Sequence, residues 1–222
     1  MKGMITMNPI ILFSNQRTGS SSFIQWLDIN YKTEIDLDYI NQSVLESISK
    51  LGYSLPQLRH SHERFDHQVG EFYCIIKQYE KDKNMELLVL AVKTILSHKI
   101  HIKIMVEFTP LWFIKIILAH IQDYNYKTFF LYREDGRARI ASQIIMDLDL
   151  IIARGSYHTV NTILNNINKK NSEFIAAVNM HCISYENLYL RNDAITKNLI
   201  SKITGLTDIE TLRDIKVLTP NG

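Results

Sequence analysis

Residues 9–27 have the sequence PIILFSNQRTGSSSFIQWL, in which an apolar run is followed by a polar loop and a helical pattern. The continuous apolar run at residues 9–13 predicts a strand buried on both faces, as in a parallel sheet. From Phe23 to Leu27, apolar residues recur at helical spacing. The residues between these two patterns are polar and include a glycine, Gly19. We therefore predict a strand, a loop and a helix, in that order.

The rest of the chain alternates in the same way. Further strands are predicted near residues 102–106, 127–132 and 180–184. Helical patterns are predicted at residues 36–54, 69–98, 109–122, 136–151, 158–178 and 195–203. The second of these has a break at residues 82–84, and residues 56–67 are predicted to form a polar loop. Strands separated by helices predict an α/β fold, doubly wound, with a mostly parallel central sheet flanked by helices. We expect a single domain spanning residues 1–222.

The composition excludes several classes of protein. Apolar residues make up 46% of the 222 and charged residues 22%, which is typical of a folded chain and not of a disordered one. A net charge of +2 is too small for a general nucleic-acid or membrane-surface binder. Any anionic ligand must therefore be held by a local site. Cys74 and Cys182 each stand alone, so neither a zinc site nor a disulfide framework is predicted.

Nothing in the pattern of residues predicts secretion or membrane insertion. Residues 1–9 have no apolar run ending in a small-residue cleavage pattern. The longest apolar stretch, residues 111–119, is interrupted by Lys115 and is far shorter than the ~20 residues that a membrane-spanning helix needs. We expect a cytoplasmic protein without a transmembrane segment.

The loop at residues 14–22 has the features of an anion site. It lies between a strand and a helix, where unpaired backbone N–H groups and the helix dipole favour an anion. Gly19 lets the backbone approach an oxyanion, and Arg17 can donate a charge-assisted hydrogen bond. Hydroxyl donors are available from Thr18, Ser20, Ser21 and Ser22. A serine-rich helix start beside an exposed arginine would have the same sequence, so the loop alone does not decide between the two.

A run from Gln16 to Ser21 resembles the 5′-phosphosulfate loop of sulfotransferases that use 3′-phosphoadenosine 5′-phosphosulfate (PAPS). In that family a later strand ends in an arginine, and a serine eight or nine residues further on joins it on the 3′-phosphate of the donor. Arg133 and Ser142 match this pattern, with the wider spacing that is similar to bacterial trehalose and lipopolysaccharide sulfotransferases. The segment ISYENL at residues 183–188 resembles the family's Tyr-Glu-Asp-Leu segment, although Asn187 replaces the aspartate. We give that segment a structural role only.

The resemblance implies a P-loop-like sulfotransferase fold and transfer of a sulfuryl group from PAPS to an acceptor hydroxyl, on a carbohydrate, a glycolipid or a small metabolite. Arg17 would neutralise charge on the leaving phosphate, and the product would be 3′-phosphoadenosine 5′-phosphate. No metal is required. The implied donor-binding residues are Arg17, Thr18, Gly19, Ser20, Ser21, Ser22, Arg133 and Ser142.

Two alternative functions stay open: a catalytically degenerate nucleotide-binding module and a P-loop-type small-molecule kinase. The kinase is disfavoured because no lysine follows Gly19, as the nucleoside-triphosphate loop requires.

The resemblance also implies a base for the acceptor hydroxyl, between the two donor motifs. We expect Glu63, because His62-Glu63-Arg64-Phe65 resembles a Glu-x-Phe segment of several bacterial members. The alternatives are His60, His62, His67 and Glu107, the last because it follows a predicted strand.

Three cations near these motifs are left outside the predicted site. Lys103 could face the same cleft, but a strand lysine more often keeps its ammonium group at the surface. Arg137 and Arg139 lie in the first turns of a predicted helix, where charged residues are usually exposed.

Overall fold

A computed structural model describes residues 8–15, 17–31, 50, 67–98, 101–107, 109–146, 157–178 and 180–213. Within these ranges, one parallel sheet contains β1 (Ile10–Ser14), β2 (His101–Met105), β3 (Lys127–Tyr132) and β4 (His181–Ser184), in the spatial order β2-β1-β3-β4. The α/β architecture with a parallel central sheet is therefore as predicted. The predicted helix at 36–54 lies outside the described residues apart from Lys50. The predicted loop at 56–67 also lies outside them apart from His67, which begins a helix and is not in a loop.

Helices flank the sheet. They are α1 (Ser20–Asn30), α2 (His67–Asp82), α3 (Met85–His98), α4 (Leu111–His120), α5 (Gly136–Met146), α6 (Tyr157–Ala177) and α7 (Ala194–Thr204). Short turns follow α4 at Ile121–Tyr124, β4 at Glu186–Leu190 and α7 at Glu210–Arg213, and the second of these is π-helical. The break between α2 and α3 falls where the sequence predicts it, and the Asn84 side chain accepts the Leu87 N–H at 3.0 Å to cap α3. In the described ranges, no helix combines the length and the apolar composition needed to cross a bilayer.

Two hydrophobic layers enclose the sheet, because successive side chains of a strand point to opposite faces. On one face, Ile10 and Leu12 of β1 pack in a layer with Phe23 and Trp26 of α1 and Ile200 of α7. On the other face, Ile11 and Phe13 of β1 pack in a layer with residues of α2, α3, α4 and α6, among them Ile76, Leu88, Ile95, Phe113, Ile117 and Phe174. Helices on both faces give the doubly wound arrangement that the sequence predicts.

The strand order locates the edge where a ligand is expected. From β1 the chain moves to β2 on one side, and from β3 it moves to β4 on the other. In open α/β sheets, a crevice forms at the carboxyl ends of neighbouring strands whose connections leave in opposite directions. Here those strands are β1 and β3, so the residues that follow them border the expected site.

Candidate functional site

The loop after β1 has a backbone suited to an anion. Arg17 and Gly19 both have positive φ, 60° and 75°. The buried Thr18 hydroxyl donates to the Asn15 carbonyl at 2.8 Å and closes the loop. Because the residue that caps α1 is Gly19, no cap side chain accepts the N–H groups of the first turn. Those groups, together with the helix dipole, favour a negatively charged ligand.

Gly19 is held against an aromatic ring from the carboxyl-terminal part of the chain. The Tyr189 hydroxyl donates to the Gly19 carbonyl at 2.9 Å. A Cβ atom on Gly19 would lie only 2.7 Å from Cε2 of the same ring. Burial raises the pKa of the Tyr189 phenol, so its proton stays available for this hydrogen bond. The position therefore requires glycine both for its φ and for its lack of a side chain.

The two donor motifs predicted from the sequence meet at the edge between β1 and β3. Arg17 Nε donates to Ser142 Oγ of α5 at 3.0 Å. Arg133 Nη1, directly after β3, lies 3.5 Å from the Arg17 carbonyl oxygen. Arg17 thus contacts two other predicted donor-binding residues, Ser142 and Arg133, although both are far from it in the sequence. Two others, Ser20 and Ser22, lie in the first turn of α1.

Arg133 is positioned by two neighbours from the segment after β4. Its guanidinium carbon lies 4.7 Å from the centre of the Tyr185 ring, and its Nε lies 3.6 Å from Glu186 Oε1. The buried Glu186 carboxylate also accepts the backbone N–H groups of Glu134 at 2.9 Å and Asp135 at 3.3 Å. These contacts fix the turn between β3 and α5 and balance part of the Arg133 charge. They agree with the structural role expected for the ISYENL segment.

Lys103 faces the loop, and the expectation of a surface position is wrong. The residue is only 8% exposed, and its ammonium group donates to Ser21 Oγ at 3.0 Å. Lys103 lies opposite Leu12 in the parallel register, so its side chain is directed to the face covered by α1. Sequence spacing could not predict this contact, because it depends on which face of β2 meets α1. The contact adds a cation beside the anion loop.

Arg139 is also buried, contrary to the expectation that it is exposed. It is 2% exposed and forms an ion pair with the Glu107 carboxylate after β2. Lys170 of α6 donates to the Glu107 carbonyl at 2.7 Å. Arg139 lies three residues before Ser142 on α5, so both occupy one helix face, which is directed toward the carboxyl edge of the sheet. Arg137 is exposed, as predicted.

Most candidate bases lie outside the described residues. This applies to Glu63, His60 and His62, while His67 begins α2 with a side chain that is not described. Glu107 is the described candidate, at the carboxyl end of β2. Among the described residues, no group of three or more His, Cys, Asp or Glu side chains could hold a metal ion.

Comparisons with protein-family models, with curated proteins and with solved structures found no match to this chain. Any assignment of function therefore depends on the geometry of the loop after β1, Arg133 and Ser142.

Proposed function

We propose that this chain is a single-domain sulfotransferase with a P-loop-like sulfotransferase fold, which moves a sulfuryl group from PAPS to an acceptor hydroxyl. The observation that carries the proposal is the convergence of Arg17, Ser142 and Arg133 at the edge between β1 and β3. PAPS carries a 5′-phosphosulfate and a 3′-phosphate on one ribose. A protein that binds it must offer two groups of anion-binding residues close together.

Each half of the donor is assigned to one group of residues. The loop N–H groups, Arg17 and Lys103 bind the 5′-phosphosulfate, because they surround the start of α1. Ser142 and Arg133 bind the 3′-phosphate. The 3.0 Å contact between Arg17 Nε and Ser142 Oγ supports a single nucleotide site, because it brings the two groups of residues within reach of one ligand. The Arg133 guanidinium has five N–H donors, of which Nε lies near Glu186 and one on Nη1 lies near the Arg17 carbonyl, so it has further donors for a phosphate oxygen.

The transfer itself is a single in-line displacement. The acceptor oxygen bonds to sulfur while the bond from sulfur to the bridging oxygen breaks, and the electron pair of that bond stays on the 5′-phosphate. The proton of the acceptor hydroxyl passes to a base, for which Glu63 and Glu107 are the carboxylate candidates. Arg17 and Lys103 stabilise the charge that develops on the leaving phosphate.

Calorimetry with 3′-phosphoadenosine 5′-phosphate and adenosine 5′-phosphate tests both halves of the site. Ser142→Ala should weaken binding of the bisphosphate about tenfold, since one hydrogen bond to a charged group is lost, and leave binding of the monophosphate unchanged. Arg17→Ala should weaken binding of both nucleotides. Arg137→Ala removes an exposed arginine from the same helix as Ser142, so this control should bind both nucleotides like the wild type.

Two results would contradict the proposal. One is equal affinity of the wild-type protein for the two nucleotides, because the 3′-phosphate would then have no binding group. The other is an equal effect of Ser142→Ala on both nucleotides, which would remove Ser142 from the 3′-phosphate site.

A further inference from the structure

An ion pair inside the protein links Arg139 of α5 to the end of β2. Its partner is the carboxylate of Glu107, and the two side chains are only 3% and 9% exposed. The backbone carbonyl of Glu107 accepts from Lys170 of α6 at 2.7 Å, so Glu107 is held by two helices. Arg139 has no part in the proposed donor site, and its ion pair therefore needs a separate explanation.

Stability alone does not explain this ion pair. Charges that leave water lose favourable hydration, and their mutual attraction offsets that loss only when the geometry is good. Apolar residues of similar volume in place of a buried ion pair often give a protein of equal or greater stability. Unlike apolar packing, a guanidinium and a carboxylate fit together in few arrangements. The pair between Arg139 and Glu107 is therefore suited to fixing a position.

The element that it positions is α5. At the start of this helix, Glu186, which follows β4, accepts the backbone N–H group of Asp135 at 3.3 Å. One turn later, Arg139 joins the helix to the residue that follows β2. Because β2 and β4 lie at opposite ends of the described sheet, the two contacts hold α5 from opposite sides. Together they restrict how the helix can rotate about its own axis.

Ser142 is the proposed donor-binding residue whose place depends on that rotation. It lies three residues after Arg139, about 4.5 Å further along the helix axis and about 60° around it. Its Oγ accepts from Arg17 Nε at 3.0 Å. Hydrogen bonds of this kind have lengths of about 2.7–3.2 Å, so a shift of Ser142 away from Arg17 by about 1 Å would break the contact. The same shift would separate Ser142 from a phosphate held by Arg133.

We propose that Arg139 is a positioning residue, which through its ion pair with Glu107 holds Ser142 in place to bind the 3′-phosphate of the donor. This inference rests on the proposed function and adds to it a residue that determines specificity for the bisphosphate. Arg139 is buried against Glu107 and does not touch the nucleotide, so its effect passes through Ser142. The effect is therefore confined to the half of the ligand that Ser142 binds.

Calorimetry of Arg139→Met with two nucleotides tests this role. Binding of 3′-phosphoadenosine 5′-phosphate should weaken about tenfold, as in Ser142→Ala, whereas binding of adenosine 5′-phosphate should not change. In the Ser142→Ala background, Arg139→Met should have no further effect on either nucleotide. The control Arg137→Met changes an exposed arginine of the same helix and should bind both nucleotides like the wild type.

A second variant covers the case in which Arg139→Met does not fold, because it leaves the Glu107 carboxylate without the opposite charge. Glu107→Leu combined with Arg139→Met removes both charges, so a urea transition like that of the wild type is expected. This double variant should show the same selective loss of affinity for the bisphosphate. Glu107 is also a candidate base, and binding, unlike turnover, does not depend on that role.

Any of three results would overturn the inference. The first is wild-type affinity of the folded variants for the bisphosphate. The second is an equal loss for both nucleotides, which indicates a general structural role. The third is a further loss in the Ser142→Ala background, which indicates direct contact of Arg139 with the phosphate. In each case a wild-type preference for the bisphosphate leaves the proposed function standing, whereas a wild-type protein without that preference contradicts both.

Discussion

Replacing Gly19 by alanine should destabilise the protein by roughly 3 kcal/mol, for two separable reasons. The φ of 75° is left-handed, and a residue with a side chain pays about 1–2 kcal/mol to adopt it. The new Cβ would also lie 2.7 Å from the Tyr189 ring, and displacing a packed ring costs about 1–3 kcal/mol. The ring shift would weaken the hydrogen bond from the Tyr189 hydroxyl to the Gly19 carbonyl as well.

Urea denaturation at pH 7 measures this cost and separates its two parts. Gly205 is a matched control, because it is exposed, ends α7 and has a φ of 77°. Gly205→Ala should therefore cost only the conformational part, about 1–2 kcal/mol. In a Tyr189→Leu background, the effect of Gly19→Ala should fall to the same value, since the smaller side chain removes the steric conflict.

Two outcomes would contradict this prediction. One is a cost of Gly19→Ala no greater than that of Gly205→Ala in the wild-type background, and the other is an effect of Gly19→Ala that Tyr189→Leu leaves unchanged. Either result would mean that the loop does not pack on Tyr189.

Burial lowers the pKa of His101 to about 4 from its ordinary 6.5, so the unfolded chain binds a proton more readily than the folded one. The free energy of unfolding present above pH 6.5 should therefore fall by about 3 kcal/mol as the pH drops through 4. His101→Phe can keep the stacking on Tyr31 and should remove most of this loss, measured as the difference in stability between urea titrations at pH 7 and pH 4.5. A difference that the substitution leaves unchanged would contradict this prediction. Lys103→Met should weaken binding of 3′-phosphoadenosine 5′-phosphate about tenfold, and full affinity in calorimetry would remove Lys103 from the site. Glu186→Gln removes the carboxylate beside Arg133 and should lower the free energy of unfolding by about 3 kcal/mol in urea denaturation. The control Glu134→Gln breaks a surface ion pair with Arg191 and should lower it by less than about 1 kcal/mol. Equal costs of the two substitutions would argue against the role of Glu186.

The elements of the fold could be predicted because local patterns specify them. The apolar run at residues 9–13 contains most of β1, in which each residue from Ile10 to Phe13 is fully buried. The break at 83–84 follows from polar residues between two helical patterns. The order of the strands could not be predicted, because it depends on which face each connecting helix covers.

The proximity of Arg17 and Arg133 could be predicted from the parallel arrangement of the strands. Parallel strands bring their carboxyl ends to one edge, so residues that follow β1 and β3 must lie near each other, and Arg17 and Arg133 do. The burial of Lys103 and Arg139 could not be predicted, because it depends on the direction in which one face of β2 and one face of α5 point. The contact of Tyr189 with Gly19 depends on a π-helical turn, for which the sequence gives no clear signal.

A crystal structure of the complex with 3′-phosphoadenosine 5′-phosphate would show directly whether one nucleotide occupies both groups of residues. We expect the 5′-phosphate at the start of α1, against Gly19 and Arg17, and the 3′-phosphate within hydrogen-bond distance of Ser142 Oγ and Arg133. Density for the nucleotide away from the edge between β1 and β3, or a 3′-phosphate that contacts neither Ser142 nor Arg133, would contradict this expectation.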